Sequence, residues 1–356
     1  MCLHHWIIQE GVASIRVPHT GRSRHRFRGP SDGQPQLVLE LSNLNAYRAL
    51  PLVVHEPMML HVIYRSYGGE NQKGRPDYYS KRLALLSFVR SLQELKPGQA
   101  EPIFLNDGPI PDDRLRVMEN SGEVMARSKL GARGSMWIAL KMPIVRAWPH
   151  DDLVWFAEDD YLYQPRALND LIAAADAYRD TSYFALYATI GSRMPNGEPF
   201  DERLPSKLPS PEMKLVNGHP WVRAFSTTST FGARVKTLIE DHMLMRLAVA
   251  SRGGWDHTTC LMYQGYIPYP MATLTDWFST KPKSWAYRAA IVGARIGLNC
   301  YQAIRILRRP ERALVAPDPA LITHMETPYV ALGTDWQSLA DSTQQWASAS
   351  PVDQHG

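Results

Sequence analysis

The sequence has little cysteine: three residues in 356, Cys2, Cys260 and Cys300, lie far apart and form no CxxC pair. This spacing excludes a disulfide scaffold and a cysteine-rich zinc site, and it is typical of the reducing cytosol. No apolar run approaches the ~20 residues that a transmembrane helix needs. The N-terminus, MCLHHWIIQEGVAS, lacks the basic start and long apolar core of a secretory signal. We therefore expect a cytoplasmic protein, and peripheral contact with the inner face of a membrane is compatible with this composition.

The sequence also lacks a strong excess of one charge, because 39 Lys and Arg against 35 Asp and Glu leave a formal net charge of +4. Local basic clusters attract phosphate, anionic lipid or nucleic acid. A solvated surface is the simpler interpretation of such clusters, so a nucleic-acid partner is not expected. The arginines of the two clusters are Arg22, Arg24, Arg26 and Arg28, and Arg305, Arg308, Arg309 and Arg312.

Residues 1–57 differ in composition from the rest of the sequence. They are rich in His, Arg, Gly and Pro and contain only short apolar stretches. We predict an N-terminal appendage that is poorly ordered, or that precedes a true start at Met58 or Met59. The catalytic domain is predicted over 58–336, with a long basic helix over 284–309 inside it, and a C-terminal tail is predicted over 337–356.

Short apolar runs alternate with helix-like segments after Met59. LHVIY (60–64), EPIFL (101–105) and LVWFA (153–157) predict strands, and the segments between them have apolar residues at helical spacing. This alternation predicts an α/β fold whose mostly parallel central sheet has helices on both faces. Ligands of such sheets bind beyond the carboxyl ends of the strands. Ser66, Asp107 and the acidic triplet Glu158-Asp159-Asp160 all follow predicted strands, so we expect them to lie together.

The second half of the sequence is less regular. Residues 191–220 are rich in proline and predict a loop, whereas about 233–250 and 255–264 predict helices. A short apolar strand is predicted over Leu321–His324.

Three acidic side chains directly after a buried strand are costly unless something neutralises them. Mg²⁺ and Mn²⁺ would do so, because hard cations prefer oxygen ligands and also bridge phosphate oxygens. A solvated acidic turn before the next helix is the alternative that spacing alone leaves open. The position of the triplet at the end of a buried strand favours the metal.

The run LVWFAEDDYLYQPRALNDLI resembles the metal-binding segment of GT-A glycosyltransferases, close to the family 2-like bacterial enzymes. HVIYRSYGGENQKGRPDYYSK resembles their first strand and nucleotide-facing loop, and FLNDG resembles the second strand with its base-contacting aspartate. STTSTFGARVKTLIEDH resembles the acceptor-side segment, GGWDHTT the segment of the catalytic carboxylate, and ITHMET the late histidine-bearing strand. The resemblance covers about residues 59–336. It implies a Rossmann-like GT-A fold and a metal-dependent transfer of sugar from a nucleoside diphosphate sugar to a hydroxyl acceptor, with inversion.

The resemblance also implies roles for individual residues. Asp160 and His324 are expected to hold Mn²⁺ or Mg²⁺, although a histidine in a short strand is otherwise more often a packing residue. Glu158 stands where relatives have Asp, and the matching acid of relatives faces the ribose or contacts the metal through water. Contacts to the nucleotide sugar are expected from Ser66, Asp107, Arg133, Glu158 and Asp159.

Asp256 is expected to be the catalytic base, which takes the proton of the acceptor hydroxyl as that hydroxyl attacks the sugar. Capping of the following helix is the alternative role of Asp256, and His257 is a competing candidate for the base. Asp107 and Asp159 have alternative roles in shaping their turns.

Two other functions are compatible with parts of the sequence. A sugar nucleotidyltransferase would carry a Gly-rich basic loop after the first strand, and RSYGG is only a faint version of one. A non-catalytic nucleic-acid-binding protein would use the arginine clusters, and the acidic triplet argues against it. The donor sugar, the nucleobase and the acceptor are not specified by the sequence.

Overall fold

The computed structural model describes the chain from Met58 to Ser350 with short gaps, and residues 56–356 form one compact unit. The predicted N-terminal appendage, residues 1–57, lies outside the described residues. Within the described ranges, no helix combines the length and the apolar content that a membrane crossing needs. The described residues are 58–70, 73–128, 130–200, 211–250, 255–271, 274 and 284–350.

Strands and helices alternate along the first half of the chain and are mixed in the second half. The strands are β1 (Leu60–Tyr67), β2 (Ala100–Asp107), β3 (Glu123–Arg127), β4 (Leu153–Glu158), β5 (Tyr161–Tyr163), β6 (Tyr183–Phe184), β7 (Ala188–Thr189), β8 (Lys214–Val216), β9 (His219–Arg223), β10 (Ser226–Thr227), β11 (Phe231–Arg234), β12 (Leu314–Pro317) and β13 (Ile322–His324). The helices are α1 (Lys81–Gln93), α2 (Asp112–Glu119), α3 (Gly131–Val145), α4 (Ala167–Ala177), α5 (Val235–Glu240), α6 (His242–Ala250), α7 (Trp255–Tyr263), α8 (Trp285–Ile306) and α9 (Trp336–Ala349), with a 3₁₀ turn at Thr327–Tyr329.

Nine strands form the central sheet, in the order β3-β2-β1-β4-β11-β6-β12-β9-β8. β11 is antiparallel to its neighbours β4 and β6, and β9 is antiparallel to β12 and β8. The other pairs are parallel. Seven of the nine strands therefore point in one direction, which confirms the mostly parallel sheet.

β1 and β4 lie side by side within the sheet, and helices cover both of its faces. Tyr64 and Trp155 face a core that includes residues of α1, α4 and α9. Ile63 and Phe156 face the opposite core, which includes residues of α3, α6 and α7. Burial on both faces explains why these strands are almost continuous apolar runs. The predicted α/β fold class is thereby confirmed.

The C-terminal helix corrects the predicted tail over 337–356. α9 begins at Trp336, where Asp335 caps it by accepting a hydrogen bond from a backbone N–H of the first turn. Trp336, Ala340 and Ala347 are buried in the same core as α1. Most of the predicted tail is therefore part of the folded unit.

The prediction of a helix from about 233 to 250 is wrong at its start, because residues 231–234 form β11. This strand lies next to β4, and a Cβ atom added at Gly232 would lie 3.2 Å from the Trp155 ring. Glycine thus permits the close approach of the two strands, and α5 and α6 follow only after Arg234. The predicted loop over 191–220 likewise contains β8 and the first residues of β9. The predicted helix over 284–309 is present as α8.

Candidate active site

The acidic triplet lies at the carboxyl end of β4, as the sequence predicts. Arg65 of β1 is in register with Glu158, and Asp107 of β2 is in register with Tyr67. The ends of these three neighbouring strands therefore meet at one edge of the sheet. This edge is where ligands of parallel sheets bind.

Each carboxylate of the triplet has a basic partner. Glu158 pairs with Arg65 at 3.0 Å, Asp159 with Lys81 at 3.0 Å, and Asp160 with His324 at 3.0 Å. The neutralisation that the sequence suggested for a metal is thus provided in part by basic side chains of the protein.

Asp159 fixes the end of β1. One of its carboxylate oxygens accepts hydrogen bonds from the Ser66 hydroxyl at 3.0 Å and from the Tyr67 backbone N–H at 2.8 Å. The same oxygen accepts the Lys81 ammonium, whose side chain is only 4% exposed. Ser66 and Asp159, both predicted to contact the nucleotide sugar, are therefore bonded to each other and hold the strand end in place.

Glu158 lies near charges of both signs. Burial raises the pKa of Glu158 to about 7, although the Arg65 guanidinium lowers it and the charge of Asp160 raises it. Proton uptake near neutral pH is a consequence of this environment.

Asp160 and His324 are brought together by the pairing of β5 with β13, in which His324 lies opposite Tyr161. The imidazole stacks on the Tyr161 ring, with centroids 4.8 Å apart and planes at 9°. Burial alone would raise the pKa of Asp160, but the hydrogen bond and charge of His324, with Arg75 and Lys73, hold it below its ordinary value. Asp160 is thereby kept ionised.

Asp160 provides the type of donor atom that a hard cation prefers. Asp160 offers carboxylate oxygen and His324 offers imidazole nitrogen, and each side chain is 14% exposed. In the described part of the chain, no group of three His, Cys, Asp or Glu residues could hold a metal ion. Mg²⁺ commonly binds through one or two carboxylates and takes its other ligands from substrate phosphates and water. The residues therefore fit a cation shared with a bound diphosphate.

A cavity of about 390 Å³ extends from His324 to Asp256. Asp256 lies in the first turn of α7, where its carboxylate accepts a hydrogen bond from the His257 backbone N–H at 2.9 Å. Burial raises the pKa of Asp256, which the backbone N–H of His257 opposes. The other lining residues include Lys73, Tyr187, Phe200, His257, Glu326 and Tyr329.

α7 is held in position by contacts with the segment before β11. The His257 imidazole Nδ1 lies 3.2 Å from the Ser226 hydroxyl, and the Gln264 side-chain amide donates to the Phe225 carbonyl at 2.6 Å. Because β11 runs antiparallel to β4, its N-terminal end lies at the edge of the acidic triplet. The direction of this strand thus brings Asp256 to the cavity.

Two predicted residues have other surroundings. The two carboxylate oxygens of Asp107 accept the backbone N–H groups of Leu130 at 2.8 Å and Gly131 at 2.6 Å. Asp107 therefore caps the start of α3, which is a structural role. Arg133 is exposed in the first turn of α3. Neither Asp107 nor Arg133 is among the described residues that line the cavity, so their contact with the nucleotide stays a prediction.

Three charged residues of the site were not predicted from the sequence. Lys73 pairs with Glu326 at 2.6 Å, and Arg75 donates to the Met325 carbonyl at 2.7 Å. Lys73 and Glu326 are 253 residues apart along the chain, so no local sequence pattern shows their contact. The available signal was the position of two basic residues in the loop after β1 and of an acid two residues after His324.

The second arginine cluster is only partly a free surface. Arg305 is buried and pairs with Asp241 at 2.8 Å, and Arg312 pairs with Glu240. These contacts tie α8 and the following segment to α5, and they leave less of the cluster for a nucleic-acid partner.

No protein-family model and no curated protein matches the sequence. Solved structures that match include S. aureus TarS 1–349, at 15% identity and a TM-score of 0.37, over 68% of this chain and 72% of that one. Its complex with UDP-GlcNAc matches at 17% identity and a TM-score of 0.35, over 59% and 54% of the two chains. Glucosyl-3-phosphoglycerate synthase from Mycobacterium tuberculosis with Mn²⁺, UDP and phosphoglyceric acid matches at 16% identity and a TM-score of 0.27, over 36% and 42%.

In the structure of S. aureus TarS that is not limited to residues 1–349, the match covers 34% of the TarS chain, so this protein spans about a third of its length. At these identities and TM-scores, the matches do not indicate which metal, donor or acceptor this protein binds.

Proposed function

We propose that the protein transfers a glycosyl group from a nucleoside diphosphate sugar to a hydroxyl acceptor. One observation carries the proposal: the same cavity is lined by His324, which is bonded to Asp160, and by the half-buried Asp256. A diphosphate end and a general base thus face one space of about 390 Å³. Sites that hold a small ligand are commonly clefts of this size with a few convergent polar groups.

Asp256 supports the chemical step as the base. An acceptor hydroxyl in the cavity would donate its proton to this carboxylate while the hydroxyl oxygen forms the new bond to the anomeric carbon. The bond from that carbon to the diphosphate breaks, and its electron pair leaves with the diphosphate. A single base and a direct attack would invert the configuration at the anomeric carbon.

Asp160 and His324 would hold Mg²⁺ or Mn²⁺ at the diphosphate. When bound, the cation would stabilise the negative charge that develops on the leaving group. The residues of the chain contribute orientation: Tyr161 stacks against His324, and the Thr228 hydroxyl accepts the Tyr161 hydroxyl at 2.7 Å.

A thermal-shift screen of nucleoside diphosphates with and without Mn²⁺ tests the proposal, since a ligand that binds the native state raises its melting temperature. The screen covers the diphosphates of uridine, adenosine, guanosine and cytidine, because the sequence does not specify the nucleobase. We expect a larger shift from the diphosphate with Mn²⁺ than from either alone. No shift with any nucleoside diphosphate would contradict the proposal.

Product analysis separates the alternative functions. A sugar nucleotidyltransferase would consume a sugar 1-phosphate and a nucleoside triphosphate and release pyrophosphate. The proposed transferase would instead release a nucleoside diphosphate from a sugar nucleotide. Steeply salt-dependent binding to any DNA, without either reaction, would favour the nucleic-acid-binding alternative.

A further inference from the structure

A basic segment, defined here as residues 73–75, crosses from the end of β1 to the residues after β13. Lys73 pairs with Glu326 at 2.6 Å. The Gly74 carbonyl accepts the Thr327 backbone N–H at 3.0 Å, and Arg75 donates to the Met325 carbonyl. Three successive residues are therefore attached to 325–327, next to His324.

Arg75 is held in place, but not every N–H group of its guanidinium makes a strong hydrogen bond. It lies over the Tyr79 ring at 4.2 Å, and its side chain is 11% exposed. Both terminal nitrogens are 3.4 Å from one Asp160 oxygen, longer than the ~2.7–2.9 Å of a strong charge-assisted bond. Its Nε is buried and has no hydrogen-bond partner among the described residues. Donor capacity is thus left over beside the acidic triplet.

Lys73 supplies a second cation near Glu326 and Asp160. It lines the cavity together with Glu326 and His324, and its side chain is 40% exposed. Asp256 also lines the cavity. Arg75 is not among the described lining residues, but it contacts Asp160, the partner of the lining residue His324. A group with several negative oxygens would satisfy both, because guanidinium binds phosphoryl oxygens in a bidentate manner and ammonium binds them as a point charge.

We propose that Lys73 and Arg75 bind the diphosphate of the sugar nucleotide, exchanging their contacts with Glu326 and Asp160 for contacts with phosphoryl oxygens. This inference rests on the proposed function. In the structure, Arg75 and His324 both contact the same Asp160 oxygen. Movement of Arg75 to the diphosphate frees that carboxylate for a cation, so a cation and a diphosphate bind more tightly together than separately.

Calorimetric titration with uridine, uridine diphosphate and inorganic pyrophosphate, without divalent cations, tests the inference. Lys73→Met and Arg75→Met should each weaken uridine diphosphate binding roughly 10-fold or more, because contacts between charged groups are the strong ones. Uridine binding should change little. Arg146→Met is the matched control: Arg146 pairs with Glu123, and its side chain is also 40% exposed, but it lies at the other edge of the sheet.

Removal of the competing carboxylate gives an effect of the opposite sign. Glu326→Gln leaves Lys73 without its charged partner, so uridine diphosphate should bind more tightly than to the wild type. A purely structural role for the Lys73–Glu326 pair would instead give weaker or unchanged binding. Arg75→Lys, which keeps the charge, should recover part of the affinity that Arg75→Met loses, and circular dichroism identifies any variant that fails to fold.

Two results would contradict different claims: one would contradict the role of Lys73 and Arg75, and the other would contradict the proposed function. If the wild type binds uridine diphosphate and both methionine variants bind it within 2-fold of the wild type, the inference is overturned and the proposed function stands. If the wild type binds no member of a nucleoside diphosphate panel either with or without Mn²⁺, the proposed function itself is overturned.

Discussion

The imidazole Nε2 of His324 lies 3.0 Å from a carboxylate oxygen of Asp160, although 164 residues separate the two along the chain. Their contact depends on the short antiparallel pair β5–β13, which places His324 opposite Tyr161. The candidate cation site therefore depends on tertiary pairing. Asp160 follows the central strand β4, and His324 is the last residue of β13.

Replacement of Asp160 tests the cation site. Asp160→Asn removes one negative charge with little change in shape, so Mn²⁺-dependent binding of a nucleoside diphosphate should fall sharply while the fold survives. Calorimetry at several Mn²⁺ concentrations measures the effect, and circular dichroism checks the fold. An unchanged dependence on Mn²⁺ would exclude Asp160 as a ligand.

Replacement of Asp256 separates binding from chemistry. Asp256→Asn should leave the affinity for donor and metal close to normal while turnover falls ~10²–10⁴-fold, the usual effect of losing a positioned base. A helix-capping role predicts full activity instead, because Asn caps about as well as Asp. His257→Ala is the companion variant: loss of turnover there, with an active Asp256→Asn, would assign the base to His257.

The pH dependence of turnover follows from the burial of Asp256. Burial raises the pKa of this carboxyl, and a base acts only when deprotonated, so the rate should fall as pH drops through that raised value. A profile of kcat/KM against pH should therefore show its acid limb above the ordinary range of an aspartate. An acid limb at the ordinary aspartate value would count against Asp256.

The buried pair of Asp241 and Arg305 should contribute strongly to stability. The two side chains are 1% and 5% exposed and lie 2.8 Å apart, and Asp241 also accepts the Tyr183 hydroxyl. Arg305→Met leaves a buried carboxylate with less compensation, which typically costs about 3–5 kcal/mol. Urea unfolding measures the change. The exposed neighbour Arg308 is the control, since Arg308→Met should change the free energy of unfolding by less than about 0.5 kcal/mol.

The sequence predicted best where a local pattern determines the structure. β1, β2 and β4 are apolar runs that end in polar residues, and the position of the acidic triplet followed directly from them. β11 was missed because a strand of four residues leads directly into α5. Its direction depends on its neighbours in the sheet, which no local pattern reports.

The positions of most acidic side chains at the strand ends could be predicted from the sequence, whereas their contacts with basic side chains could not. Glu158, Asp159 and Asp160 are adjacent in the sequence, and Asp256 was found by resemblance. Their cationic partners come from β1, from the loop after it and from α1. The uses of Asp107 as a cap and of Asp159 as an anchor likewise became visible only through partners in other segments.

β12 is one of the last strands in the chain, yet it lies inside the sheet, between β6 and β9. A ribosome releases the chain from its N-terminus, so both neighbours exist before the strand that separates them. Until Leu314–Pro317 arrives, β6 and β9 each have an unpaired edge, and such edges are templates for pairing with other chains. Incomplete chains that stop before this strand should therefore aggregate, which makes the C-terminal part a requirement for solubility during synthesis as well as for the site.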